Sequence, residues 1–200
     1  MLPERVPVAC GTGIAAHRGR PGLEKHRTHE GSPTIGGVTA ETFDALVDEL
    51  PSAALIVTVA AGGDQGGCLV AFATQCSIEP LRFAVWLSKV NRTYRIARDA
   101  STLIVHVLRR GDDDLAHRFA GETGDDADKF RDLDWQPGPD GCPVLTRCDW
   151  FGGTIVARVD TGDHEAFVLA PHDGGQHQAG PVLTIDALPS LVAGHPVPPS

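Results

Sequence analysis

Two hundred residues suffice for one domain with a real core and hardly for two, and 42% apolar with 22% charged residues excludes wholesale disorder. With 26 acids against 17 bases the formal net charge is -9, which argues against nucleic acid as a general partner; no apolar run approaches the ~20 residues of a membrane helix. Twenty-three glycines and 15 prolines favour a turn-rich, strand-rich chain, and five cysteines without a CxxC pair read as reduced thiols in a cytoplasmic protein.

In chain order, residues 1–38 show no helical or strand periodicity and read as a flexible tail ahead of a domain over 39–200. The stretch is broken by Pro7, Gly11 and Gly13, so it lacks the continuous apolar core of a signal peptide. A helix is expected over Thr39–Leu50, with Thr39 as N-cap and Phe43, Leu46, Val47 and Leu50 on one face. Ala54–Ala60 reads as a strand, the glycine-rich run 62–67 as a loop, and Cys68–Thr74 as the partner of a hairpin. Leu81–Ser88 reads as a strand buried on both faces, Thr93–Asp99 as a short helix and Thr102–Leu108 as another strand. A helix capped by Asp112 or Asp113 runs through Phe119, inside an acidic surface over 111–134. Thr154–Val159, Glu165–Leu169 and Val182–Ile185 are the late strands. Short strands in hairpin-like succession with few helices predict a mainly β chain, an antiparallel barrel with short helices at its ends.

Catalytic motifs are scarce. No GxSxG occurs, no spacing ties a Cys to a His, and the glycine run 62–67 lacks GxGxxG spacing and leads into a strand. His172 and His177 stand in a glycine-rich loop and read as solvated, so no metal is expected. Two stretches are more informative. Thr74-Gln75-Cys76-Ser77 mixes small and polar residues after a strand, and Asn91-Arg92-Thr93 supplies an amide, a cation and a hydroxyl at a helix start. Free N–H groups there suit a phosphate, and the same residues suit a plain capped helix with Arg92 in solvent.

These stretches, with Phe119-Ala120-Gly121, Asp128-Lys129-Phe130 and Gly162-Asp163-His164, occur in an order that resembles the flavin reductase-like family over about residues 39–195. The resemblance implies an FMN-binding split β-barrel, generally homodimeric, with flavin at the subunit interface. It implies Thr74, Gln75, Cys76 and Ser77 along the flavin ring, Asn91, Arg92 and Thr93 at its phosphate, and Lys129 as a further phosphate contact. It implies His164 as the catalytic residue beside the nicotinamide. Lys129 equally suits an ion pair with Asp125 or Asp126, Cys76 a packing role, and His164 a polar residue opening a strand. The chain departs from the family pattern at Ala71 and Gln75, where hydroxyls are common, and at Leu81, where a second proline is common. The activity implied is reduction of FMN, or of FAD, by NADH or NADPH, with reduced flavin passed to a separate monooxygenase. A flavin-dependent oxidase or reductase of a small organic substrate, and a non-catalytic flavin holder, are the alternatives.

Overall fold

The computed structural model describes residues 37–121, 128–176, 179–188 and 191. The tail expected over 1–38 falls almost wholly outside these residues, as do Asp125, Asp126 and His177. Among the described residues nine strands and three α-helices occur in the order α1 (Ala40–Val47), β1 (Leu55–Ala61), β2 (Asp64–Val70), β3 (Ala73–Ser77), β4 (Arg82–Ser88), α2 (Arg92–Ala97), β5 (Thr102–Val107), α3 (Asp113–Gly121), β6 (Trp135–Pro137), β7 (Pro143–Leu145), β8 (Asp149–Asp160) and β9 (His164–Gly175). Seven strands form one antiparallel sheet in the order β2-β1-β5-β8-β9-β4-β3, and β6 with β7 forms a separate two-stranded piece.

The sheet is not closed by hydrogen bonds, because β2 and β3 are its edges. It curls instead. Val70 of β2 and Val85 and Leu87 of β4 come from opposite halves of the strand order, yet share one core with Leu55, Val57, Val59, Leu103, Val105, Phe167 and Leu169. Alternation along β1 explains how one strand serves two cores. Leu55, Val57 and Val59 face that interior, while Ile56 faces a second cluster with Leu69, Leu115, Phe119, Phe130 and Leu188.

Several boundaries differ from the expectation. The glycine run is a hairpin whose turn is only Gly62-Gly63, both at positive φ, and Asp64–Gly67 is already strand β2. Gly66 and Gly67 are strand residues because neighbours leave no room for a side chain: an added Cβ would stand 2.9 Å from Ile96 Cδ1 and 2.7 Å from Phe119 Cε1. The run 68–74 splits at Val70, and β3 begins at Ala73. Strands β8 and β9 are twelve residues each, longer than expected, and Val182 and Thr184 make isolated bridges to Arg109 and Ala53 where a strand was expected. Helix α1 has its Thr39 cap, with the hydroxyl accepting from Thr42 N at 3.2 Å, but Phe43, Leu46, Val47 and Leu50 are exposed. Among the described residues no helix is long and apolar enough to cross a membrane. Cys142 and Cys148 are buried free thiols and Cys76 an exposed one; the expectation of reduced thiols throughout is corrected at Cys68, which is disulfide-bonded.

Candidate functional site

The geometry grows from the β3–β4 edge. Strand β4 carries the chain from Arg82 to Ser88 and straight into α2, whose N-cap is Asn91. Ser88 pairs with His164 at the start of β9, and Asn91 N donates to Ser88 O at 3.0 Å. One step back along β4, Trp86 N donates to Phe72 O at 2.9 Å, and the Phe72 ring meets the His164 ring edge-on at 5.4 Å. Phe72, Ser88, Asn91 and His164 therefore form one corner of the sheet. From Phe72 the exposed edge strand β3 leads away, so Thr74 to Ser77 lie ~7–17 Å further along it at the rise of an extended chain.

On that edge Thr74, Gln75 and Cys76 are exposed and Ser77 half-buried. Thr74 Oγ1 donates to Gln75 O at 3.3 Å and Gln75 Nε2 to Ser77 O at 3.2 Å, both local contacts. A bulge between Gln75 and Ser77 leaves Cys76 without a paired residue on β4. An edge strand leaves a row of backbone groups free on its outer side, and these are the natural partners of a planar polar ring.

At the start of α2 the three sequence candidates separate. Arg92 is not poised over the helix end; its guanidinium lies on the β1–β2 hairpin, 2.8 Å from Asp64 Oδ1 and 2.5 Å from Gln65 O. Thr93 is 2% exposed, against β2 at Gly66, and its hydroxyl has no hydrogen bond among the described residues. The one sealed side-chain nitrogen or oxygen without a partner among them is Arg118 Nε, so the Thr93 hydroxyl still reaches solvent. A nearly buried hydroxyl that water can still reach is free to bond a ligand. Asn91 is 6% exposed and makes no side-chain cap to α2.

Lys129 lies in the interior. It is 5% exposed and its Nζ donates to Phe119 O at 3.0 Å, in the last turn of α3, whose Phe119 ring packs beside Gly67 of β2. Its stem packs against Phe119, with Nζ 5.9 Å from the ring centroid; the expected partners Asp125 and Asp126 lie outside the described residues. No local pattern marks Phe72, which follows Ala71 as one more apolar residue and meets His164 only because β4 bonds to Phe72 on one side and to β9 on the other.

His164 itself is 6% exposed. Its Nδ1 is 2.9 Å from Asp163 Oδ1, and Nε2 has no partner among the described residues while remaining unsealed. Charged groups stand close by. Lys89 Nζ is 2.7 Å from Asp160 Oδ1, which raises the lysine's pKa and lowers the aspartate's, and Tyr94 Oη donates to Glu165 Oε2 at 3.0 Å. Burial, then the bond to Glu165, raises the Tyr94 pKa. These elements thus offer an exposed polar strand edge on β3, a hydroxyl on α2 beside β2, and an imidazole nitrogen at the start of β9, the last two without a partner among the described residues. They hold no assembled nucleophile-and-base pair. Such a set can hold a flat polar ligand with a phosphate tail and orient a second ligand beside it.

Comparison with known proteins gives the family and the fold. The sequence pattern described as Flavin reductase like domain matches residues 47–185. The chain is 32% identical over 134 residues to a Rhizobium meliloti protein named "Probable flavin reductase", covering 64% of this chain and 42% of that one. It is 28% identical over 144 residues to the flavin reductase (NADH) of Kitasatospora aureofaciens, covering 70% and 74%. The chain thus spans less than half the length of the Rhizobium relative. Among solved structures, the flavin reductase domain protein of Arthrobacter sp. FB24 superposes with a TM-score of 0.68 at 22% identity, over 81% of this chain and 98% of that one, which is agreement in fold.

Proposed function

Because the chain belongs to the Flavin reductase like domain family, we propose that it is an NAD(P)H-dependent flavin reductase acting on FMN, with its site at the corner of β3, β4, α2 and the β8–β9 turn. The observation that carries the reading is the pairing of an exposed edge at Thr74–Ser77 with the unused, nearly buried Thr93 hydroxyl. The residues present fit a flavin. Backbone groups of β3 with Gln75 and Ser77 would hold the polar edge of the ring, Cys76 would lie against it, and Thr93 and Asn91 would take the phosphate. Arg92 contributes as a brace on the hairpin, since Asp64 and Gln65 already hold it.

A bound flavin would supply a hydride acceptor, and the protein's part is to position and to stabilise charge. His164 would orient the nicotinamide nucleotide at the near end of the edge, where a fixed approach lowers the entropic part of the barrier to hydride transfer. Phe72, 39% exposed over His164, excludes water from one side of the imidazole. Donors on β3 favour a flavin that has gained negative charge. No protein acid or base is required for hydride transfer.

The curled sheet with two free edges is read as a split barrel, and the chain as a homodimer in which a second copy covers the flavin. Passing reduced flavin to a separate monooxygenase, in the cytoplasm, completes the reading. The test is a titration of the flavin-free protein with FMN, followed by fluorescence. Saturable quenching supports the proposal; an unperturbed flavin at high micromolar protein overturns it.

A further inference from the structure

The turn before β9 is held more firmly than a surface turn requires. Gly162 adopts φ +117°, and its N donates to Asp160 Oδ1 at 3.0 Å. Thr161 donates twice to His164 O, from its N at 3.1 Å and its hydroxyl at 2.9 Å. Lys89 N donates to Asp163 O at 2.9 Å, tying the turn to the end of β4. The backbones of Asp163 and His164 are therefore fixed from both sides, and the approach of Asp163 Oδ1 to His164 Nδ1 at 2.9 Å is built in.

The chemistry of that contact sets the imidazole. A carboxylate oxygen accepts, so Nδ1 must donate, and a neutral ring with Nδ1–H has a bare lone pair on Nε2. Nε2 is the nitrogen that has no partner among the described residues and that stays unsealed although the side chain is only 8% exposed. The Asp163 side chain, by contrast, is 63% exposed, and a contact of that kind adds little to stability. We propose that Asp163 is a positioning residue: it holds His164 in the Nδ1–H form, so that Nε2 meets the nicotinamide nucleotide as a hydrogen-bond acceptor. This rests on the reading of His164 as the residue beside that nucleotide.

The test uses the full chain with 15N-labelled histidine, compared as wild type, Asp163→Ala, Asp163→Asn and His164→Ala. Ring nitrogen shifts of the flavin-free protein at pH 8 identify the His164 signal by its loss in His164→Ala, and NADH oxidation with free FMN gives the rates. The wild type should show the Nδ1–H form. Asp163→Asn keeps an acceptor oxygen and should keep that form, with kcat/KM within about twofold of wild type. Asp163→Ala should release the form and lower kcat/KM for NADH about tenfold with unchanged FMN affinity. An unchanged ring signature in Asp163→Ala overturns the proposal. So does an altered signature with an unaltered rate where His164→Ala is slow. A normal rate in His164→Ala shows instead that His164 is not beside the nucleotide, and the role of Asp163 fails with that reading.

Discussion

His106 and His164 are both buried, and they differ in what their second nitrogen does. His106, on β5, uses both. Nδ1 donates to Ile56 O at 3.2 Å, and Nε2 accepts from Leu145 N at 3.0 Å, so the ring stitches β1 and β7 to β5. Complete burial, partly offset by the bond to Ile56, lowers its pKa from 6.5 to about 4. His164 uses one nitrogen, on the exposed Asp163, and keeps the other. A histidine with both nitrogens committed to backbone is part of the scaffold; one with a nitrogen to spare at an accessible corner is equipped to meet a ligand. The same contrast separates Lys129, whose Nζ donates to Phe119 O, from Thr93, whose hydroxyl has no hydrogen bond among the described residues.

The largest effect should come from breaking the scaffold histidine. His106→Ala orphans the buried Leu145 N–H and opens a cavity between strands, and should cost about 3–5 kcal/mol by chemical denaturation. The surviving folded fraction should still bind FMN normally. A small loss, or a selective loss of flavin binding, would blur the distinction.

Acid sharpens the same point. Between pH 6.5 and about 4 the unfolded His106 binds a proton that the folded one refuses. Stability from this group is therefore present above pH 6.5 and drains away as pH falls toward 4, by about 3 kcal/mol in all. Denaturation curves across that range should show the slope in wild type and lose most of it in His106→Gln.

Thr93→Val removes the hydroxyl and keeps the shape. Since that hydroxyl bonds to nothing among the described residues, the fold should be barely affected, whereas FMN affinity should fall by about 1.5–3 kcal/mol, roughly tenfold to hundredfold. Riboflavin, which lacks the phosphate, should bind both forms alike. Equal weakening of both flavins would make Thr93 a packing residue. His164→Ala is the smallest of the four: kcat/KM for NADH should drop about tenfold, near 1.4 kcal/mol, with FMN affinity retained. A sharp fall in melting temperature with normal turnover would return His164 to the scaffold class.

How much of this was legible in the sequence follows from how local each determinant is. ALIVTVA and TLIVHVL announce β1 and β5 because β-branched runs are local signals, and Thr39 announces its cap by the same logic. The extensions of β8 and β9 were hidden by Gly152, Gly153 and Gly174, which look like breakers. In the sheet they are small for contact: a Cβ on Gly153 would stand 2.9 Å from Leu169 Cβ. Strands β6 and β7, three residues each and carrying Pro137 and Pro143, have no periodicity to read. At the proposed site, Thr93 and His164 stand in legible motifs, yet the contacts of Arg92 and Lys129 were not legible. Those depend on Asp64 and Phe119, which only the folded sheet and the end of α3 bring near.

The central claim is that this corner reduces flavin with a nicotinamide nucleotide, and the rate of NADH or NADPH oxidation by purified protein with added free FMN tests it most directly. The account predicts turnover that saturates in both substrates, slows with Thr93→Val through a raised FMN KM, and slows with His164→Ala at saturating FMN. Flavin binding without nucleotide oxidation by either cofactor would contradict it, and would leave the chain a holder of flavin.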